Sequence, residues 1–258
     1  MTFRRKRPAL SREERLARLV EAAQSTPFYG HSSPVDYTRF AEWFAARPVL
    51  RPEDVDRAGA RLRNRGAGRT AADFRYPIQP SPDVAVLAAG FRSVPGLREL
   101  TSCSDSELIA GLVGRALAAP VTLLRRLARP GRRLDYPLVA FTGPSHGLLT
   151  DDDRDLFWRC FGVPAFEQWL GLGNEVLAEE CEAHDSLHIR DADALFESID
   201  GELVVTSLIN LEVPALRLAT GLAGRIVDGG CLCGKSGLRL TDLIPLQATV
   251  GAGADDWT

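Results

Sequence analysis

Four residues in the second half of the chain carry donor atoms suited to a metal. Cys181-x6-His188 lies upstream of Cys231-Leu232-Cys233-Gly234. Three thiolates and one imidazole suit tetrahedral zinc, and a Cys3His set leaves no coordination position open for chemistry. Gly234 would let the backbone turn tightly around such an ion. The same residues also read as core thiols and a core histidine, because C-x-C is less specific than paired C-x-x-C. Spacing alone leaves both readings open.

Other reactive side chains point less far. Ser145-His146 is not a hydrolase signature, since adjacent residues rarely aim hydroxyl and imidazole at each other and no nucleophile elbow surrounds Ser145. Its loop, Gly143-Pro144-Ser145-His146-Gly147, reads either as pocket lining or as a structural turn. His184 and Asp185 fall in a surface turn between the metal-type residues. The acidic run Asp151-Asp152-Asp153 reads as a helix start, and Cys103 and Cys160 as core thiols. Trp158 and Trp169 read as packing between helix and sheet.

The elements that must position these residues form an α/β pattern. Ser11 and Glu14 make a capping box for a helix whose face is Leu16, Leu19, Val20 and Ala23, ending near Thr26-Pro27. A helix over 36–46 and another after Arg51-Pro52 follow, with residues 65–70 a loop. Buried strands are expected at 84–88, 138–141 and 165–169, and helices at 105–117 and 122–127 and after Thr150. From residue 187 onward short strands take over at 187–189, 195–199 and 203–208, with Asp200-Gly201 a hairpin turn. The expected organisation is a basic tail over 1–10, a helical start and α/β lobe over 11–185, and a β-rich subdomain over 186–258.

Composition sets bounds on function. The 258 residues are 45% hydrophobic and 25% charged, an ordinary globular profile, with a net charge of −3. That charge disfavours a nucleic-acid binder, and no apolar run is long enough to span a membrane. Lys6 and Lys235 are the only lysines, so few amines remain for catalysis. The basic start lacks an apolar signal core, and five unevenly spread cysteines suit a reducing cytoplasm.

Several segments together resemble the phenylacetate–CoA ligase and coenzyme F390 synthetase branch of the adenylate-forming enzymes. They are residues 16–29 (LARLVEAAQSTPFY), Arg47-Pro48-Val49-Leu50-Arg51-Pro52-Glu53-Asp54, Glu180-Cys181-Glu182 through Ile189, Gly201 to Thr206, Pro214 with Arg217 to Gly221, and the Cys231-x-Cys233-Gly234 knuckle. In that branch the matching cysteines and histidine hold zinc, which implies a structural zinc on Cys181, His188, Cys231 and Cys233. The resemblance also nominates Ser145, His146, Gly171, Asn174, Glu175 and Arg217 as substrate-pocket residues. It covers about the first 55 residues and 139–234, and residues 65–136 match poorly.

Departures from the family pattern fall on the nucleotide machinery. The phosphate-loop counterpart, residues 101–106 (TSCSDS), has no glycine and carries an acid. The family's Y-G-x-[ST]-E element stands here as Leu170-Gly171-Leu172-Gly173-Asn174-Glu175, and the aspartate of R-Y-R-T-G-D becomes Leu222. The family's C-terminal lysine domain has no counterpart before Thr258. The resemblance therefore implies a truncated adenylate-forming large domain with a zinc-bound subdomain, in which ATP and CoA binding are doubtful.

Two functions follow as expectations. One is an acyl- or aryl-binding or protein-partner module that has lost adenylation, possessing a face for a second copy or a partner where the lysine domain would dock. The other is altered chemistry: acyl or aryl transfer on activated substrate, or CoA ligation with a separate lysine domain.

Overall fold

The computed structural model describes residues 10–30, 40–68, 72–92, 94–100 and 112–246. Helix α1, Arg12–Gln24, starts with a reciprocal cap: Glu14 N–H donates to Ser11 Oγ at 3.2 Å and Ser11 N–H to the Glu14 carboxylate at 2.8 Å. Its buried face is Leu19, Val20, Ala22 and Ala23. Helix α2, Phe40–Ala45, lies within the expected 36–46 span, of which 36–39 are outside the described residues. Helix α3, Pro52–Ala58, takes proline in its first turn, where the missing N–H costs nothing, and runs into a 3-10 turn, Gly59–Leu62.

Among the described residues the core of the molecule is one large mixed sheet. Strands β1 (Val84–Val86), β2 (Leu97–Glu99), β3 (Ala116–Pro120), β4 (Leu138–Thr142) and β5 (Ala165–Leu170) run parallel in the order β2-β1-β3-β4-β5. Antiparallel strands β6 (Val176–Glu180), β7 (Leu187–Ile189), β12 (Ser236–Pro245) and β11 (Leu222–Gly230) continue the sheet from β5. A second sheet of β8 (Ala194–Ile199), β9 (Glu202–Ser207) and β10 (Leu218–Ala219) is antiparallel throughout. The β8–β9 turn has Asp200 at φ 51° and Gly201 at φ 83°, as a two-residue turn matched to strand twist requires.

Three packing layers close the sheet. On one face lie α4 (Val121–Leu127) and α5 (Asp151–Phe161), with Leu124, Leu127, Phe157 and Phe161 against Leu117 and Leu138. Arg125 clamps the two helices through Asp153, at 2.6 and 2.7 Å. The other face is covered by Phe74, Tyr76 and Phe91, with Phe91 stacked on Phe141 of β4 and Phe74 edge-on to it. The second sheet and α1 to α3 pack on the antiparallel half, where Trp169 meets Phe196 edge-on at 5.7 Å.

Several sequence expectations need correction. Residues 116–120 form a strand where helical patterning over 105–117 was expected; 105–111 lie outside the described residues. The alanines have high helix propensity, but a position between two parallel neighbours, β1 and β4, overrides it, and burial on both faces hides any alternation. Trp158 is 58% exposed and does not pack on the sheet. Phe157, Cys160 and Phe161 occupy the inward stripe of α5, and Trp158 is rotated a turn-fraction away from it. Trp169 is buried and meets Phe196 of the second sheet edge-on, in the cluster that also takes in Leu19 of α1 and Phe44 of α2. Strand β6 and the long β11–β12 hairpin were not resolved as elements from the sequence.

Candidate functional site

The metal-type residues come together because β7 is flanked by β6 and β12. Cys181 follows the end of β6, and the turn behind it is closed by His184 N–H donating to the Cys181 carbonyl at 3.0 Å. His188 sits on β7 opposite Arg239 of β12. The β11–β12 turn carries Cys231 and Cys233, closed by Cys231 N–H to Lys235 O at 2.8 Å and Gly234 N–H to Cys231 O at 2.9 Å. Gly234 takes φ 83°, a left-handed conformation that glycine adopts without steric cost.

The four donor atoms all lie within 4.8 Å of one another. Cys181 Sγ is 3.6 Å from Cys231 Sγ, and Cys233 Sγ is 3.4 Å from His188 Nε2. Metal–sulfur bonds of about 2.3 Å and metal–nitrogen bonds of about 2.0 Å give tetrahedral edges near those lengths. The thiols are free, and 3.6 Å is far beyond a disulfide bond. Burial, with the neighbouring thiols, pushes Cys181 up to about 12. A cation is the charge that would make a thiolate stable there. Arg239 and Asp185 border the set: Arg239 donates to Ser186 Oγ at 3.1 Å, and Asp185 lies 3.8 Å from Cys231 Sγ. Leu232, between the two knuckle cysteines, is 92% exposed. The residues therefore fit a four-coordinate, closed metal site.

Behind Cys181 lies a buried polar cluster that the sequence reading missed. Glu180 accepts from the Glu167 amide at 2.7 Å, from Arg154 at 3.1 Å and from His184 Nδ1 at 3.1 Å. Its partners come from β5, α5 and the 181–186 turn, so it ties the metal-side turn to the sheet. Glu167 accepts from Thr142 Oγ1 at 2.6 Å, and burial pushes its carboxyl up to about 7 from an ordinary 4.5. Between those two values the native state keeps a proton that the unfolded state has released. Stability therefore falls as pH rises through this window, and the penalty is complete above about 7. Glu167→Gln removes it. The variant's stability relative to wild type is expected to be about 1–3 kcal/mol more favourable at pH 8 than at pH 5. Urea unfolding at the two pH values reads this, and an equal difference at both would refute it.

The remaining candidate residues cluster where parallel strands end. Gly143 follows β4 at φ 125°, so close to Leu170 that a Cβ would lie 2.3 Å from its carbonyl oxygen. Paired hydrogen bonds of 3.0 and 3.1 Å with Gly147 close this loop. Ser145 is exposed at its tip. His146 Nε2 lies 2.8 Å from Asn174 Oδ1, and Asn174 Nδ2 donates to Ala89 O at 2.7 Å. Desolvation holds His146 below its ordinary range. In the loop after β5, Gly171 N–H donates to Glu175 O at 2.9 Å and Gly173 N–H to the Glu175 carboxylate at 2.8 Å. Burial pushes the Glu175 carboxyl up, with Ser207, Asn210 and the Gly173 amide opposing it.

A cleft of about 810 Å³ opens beside these loops. Gly143, Pro144 and Gly147 line it together with Trp169, Glu202 of β9, Thr220 between β10 and β11, and Leu222 of β11. Leu222 is buried, as is Leu218. Glu202 is already committed, with Arg51 at 2.6 Å and the Gly221 amide at 3.0 Å. Asn174 and Glu175 instead line a separate hollow of about 380 Å³ with Asn210. Arg217 is in neither. It donates to the carbonyls of Ala45 and Arg47, lies 3.4 Å from Glu197, and holds α2 against the second sheet. Residues 101–106, the phosphate-loop counterpart, lie outside the described residues. Trp169, Glu202 and Thr220 were not foreseen as cleft residues; only the Asp200-Gly201 turn hinted that Glu202 begins a strand.

No family model matches the sequence, and no curated protein matches it. Solved structures do. An open conformation of 2-hydroxyisobutyryl-CoA ligase, in complex with 2-HIB-AMP and CoA, superposes with a TM-score of 0.62 at 15% identity, over 93% of this chain and 74% of that one. The same ligase in the postadenylation state with R3-HIB-AMP gives 0.57 at 13% identity, over 95% and 73%.

The chain has the fold of the adenylate-forming CoA ligases. At this identity the likeness concerns the fold, and the CoA-ligase fold by itself assigns no substrate. Within the CoA-ligase fold as this chain builds it, the metal cluster and the cleft share no lining residue. Among the described residues, no helix is long and apolar enough to cross a membrane.

Proposed function

We propose that the chain belongs to the phenylacetate–CoA ligase branch, holds one structural zinc on Cys181, His188, Cys231 and Cys233, and binds an acyl or aryl compound in the 810 Å³ cleft without forming an adenylate. The observation that carries this reading is Leu222 in the cleft wall, at the position where the resembled family places an aspartate. A buried leucine offers ribose hydroxyls no acceptor, and each unpaired hydroxyl costs about 1–3 kcal/mol. The acids nearest the loops support it too. Glu202 is held by Arg51, and burial keeps the Glu175 carboxyl toward its neutral form, a poor state for a magnesium ligand. What remains in the cleft is a partly apolar wall of Pro144, Trp169, Val204 and Leu222, suited to a hydrocarbon or aromatic body.

The test is pyrophosphate release from ATP and magnesium with a panel of aryl and fatty acids. The expected result is no release above the acid-free rate for any member, with at least one acid raising the unfolding temperature in a dose-dependent way. Acid-dependent pyrophosphate would overturn the non-adenylating reading and assign ligase chemistry instead. Absence of any thermal shift across the panel would remove the acyl- or aryl-binding part. Replacing Trp169 by Ala would abolish a genuine shift, whereas Arg63→Gln, which does not line the cleft, would not.

A further inference from the structure

A second cleft, of about 400 Å³, collects charge in a way the reading above does not use. Its rim carries Arg15, Arg75, Arg92 and Arg190 with Asp73 and Asp193. Four guanidiniums against two carboxylates leave a local charge of +2, in a chain whose net charge is −3. The four come from α1, from the irregular cover segments around residues 75 and 92, and from the turn after β7. No sequence run puts them together; the fold does.

Their pairing is incomplete. Asp193 is shared, with Oδ1 at 2.9 Å from Arg15 and Oδ2 at 3.0 Å from Arg190. Both arginines are largely buried, at 23% and 20% side-chain exposure, and Asp193 at 13%. A partly buried carboxylate thus serves two partly buried cations, which leaves one positive charge uncompensated where solvent screening is weak. Arg92 pairs with Asp73 at 3.1 Å on the exposed side. The Arg75 guanidinium has no ion pair or hydrogen bond among the described residues. Each paired guanidinium keeps further N–H donors in a planar fork that matches tetrahedral oxyanions. Val176 and Ile209 give the cleft an apolar floor.

We propose that this cleft is a binding site for a phosphate-bearing small molecule, the dianionic phosphate being held among Arg15, Arg75, Arg92 and Arg190. A phosphate dianion cancels the local excess, and its oxygens accept from several guanidiniums at once. The site shares no lining residue with the 810 Å³ cleft, so it stands or falls apart from the acyl or aryl reading.

The test is titration calorimetry of the full chain with inorganic phosphate and with pyrophosphate at low ionic strength. Saturable binding is expected, weakened about tenfold or more by Arg190→Gln and by Arg75→Gln, as loss of one charge-assisted contact implies. Arg57→Gln, an exposed arginine on α3, should leave it unchanged. The Arg75 guanidinium makes no ion pair or hydrogen bond among the described residues, so Arg75→Gln removes no such tie there and isolates the ligand effect. Binding that is absent in wild type, or unaltered in Arg75→Gln and Arg190→Gln while both remain folded, overturns the site. Equal weakening in Arg57→Gln also overturns it, because the anion would then be responding to general surface charge.

Discussion

Cys231→Ser is expected to abolish metal binding and to cost about 4 kcal/mol or more of stability. The purified chain should carry close to one equivalent of zinc, and a folded state that alone binds the ion gains about 4.1 kcal/mol when free zinc is a thousand times Kd. Structural zinc contributes to folding in this direct sense. The effect should be local in origin. The knuckle joins β11 to β12, and His188 joins that hairpin to β7, so loss of the ion frees the outer edge of the large sheet. Hydrogen exchange should accelerate first in β11 and β12. Leu232→Ala, between two ligands but fully solvated, is the control and should change neither metal content nor stability. A Cys231→Ser protein with wild-type unfolding midpoint, or a metal-free wild type, refutes the site.

Arg217→Met is expected to lower stability by about 2–4 kcal/mol, as breaking a largely buried ion pair and its hydrogen bonds does. The side chain donates to two backbone carbonyls at and just after the α2 end and approaches Glu197, while the Arg217 backbone N–H, which methionine would keep, donates to Thr206 Oγ1 at 2.9 Å. Methionine fills the volume but leaves those carbonyls without a donor. Glu197 keeps some access to water, at 24% side-chain exposure, which holds the loss below that of a fully enclosed pair. Arg217 also adopts φ 55°, a conformation most residues pay to enter, so the fold tolerates strain to place this guanidinium. Arg217→Lys should recover only part of the loss, because one ammonium cannot serve carbonyls and carboxylate in the same plane. A midpoint within 1 kcal/mol of wild type would show that the α2 contact is not held this way. Unchanged binding in the cleft would separate this tie from a pocket role.

The history of individual residues shows what a linear reading can reach. Ser11 with Glu14, and Thr150 with Asp153, announce their helices because a cap needs only groups three residues apart. Asp200-Gly201 announces its turn because the left-handed backbone is a property of those two residues. The donor chemistry of Cys181, His188, Cys231 and Cys233 was likewise evident, since it belongs to the side chains themselves. Residues 116 and 117, the end of the expected 105–117 helix, were misread because an all-apolar short run has no period, and the decision between helix and strand came from β1 and β4 on either side. Trp158 was misread for a related reason: hydrophobicity does not say which of two adjacent residues faces inward.

By itself, then, the sequence determined caps, turns, the α/β alternation and the donor types of four candidate metal-binding residues, all of which depend on interactions within a turn or on intrinsic chemistry. Only the tertiary structure decided that β7 lies between β6 and β12, and hence that the four donors converge within 4.8 Å. It alone placed Leu222 in a cleft wall, tied Arg217 to α2, and gathered four arginines far apart in the sequence into one cleft. Such contacts join residues tens to hundreds of positions apart. Their formation costs chain entropy that is recovered only through burial and strand pairing across the whole molecule, so no local pattern encodes which of them will form.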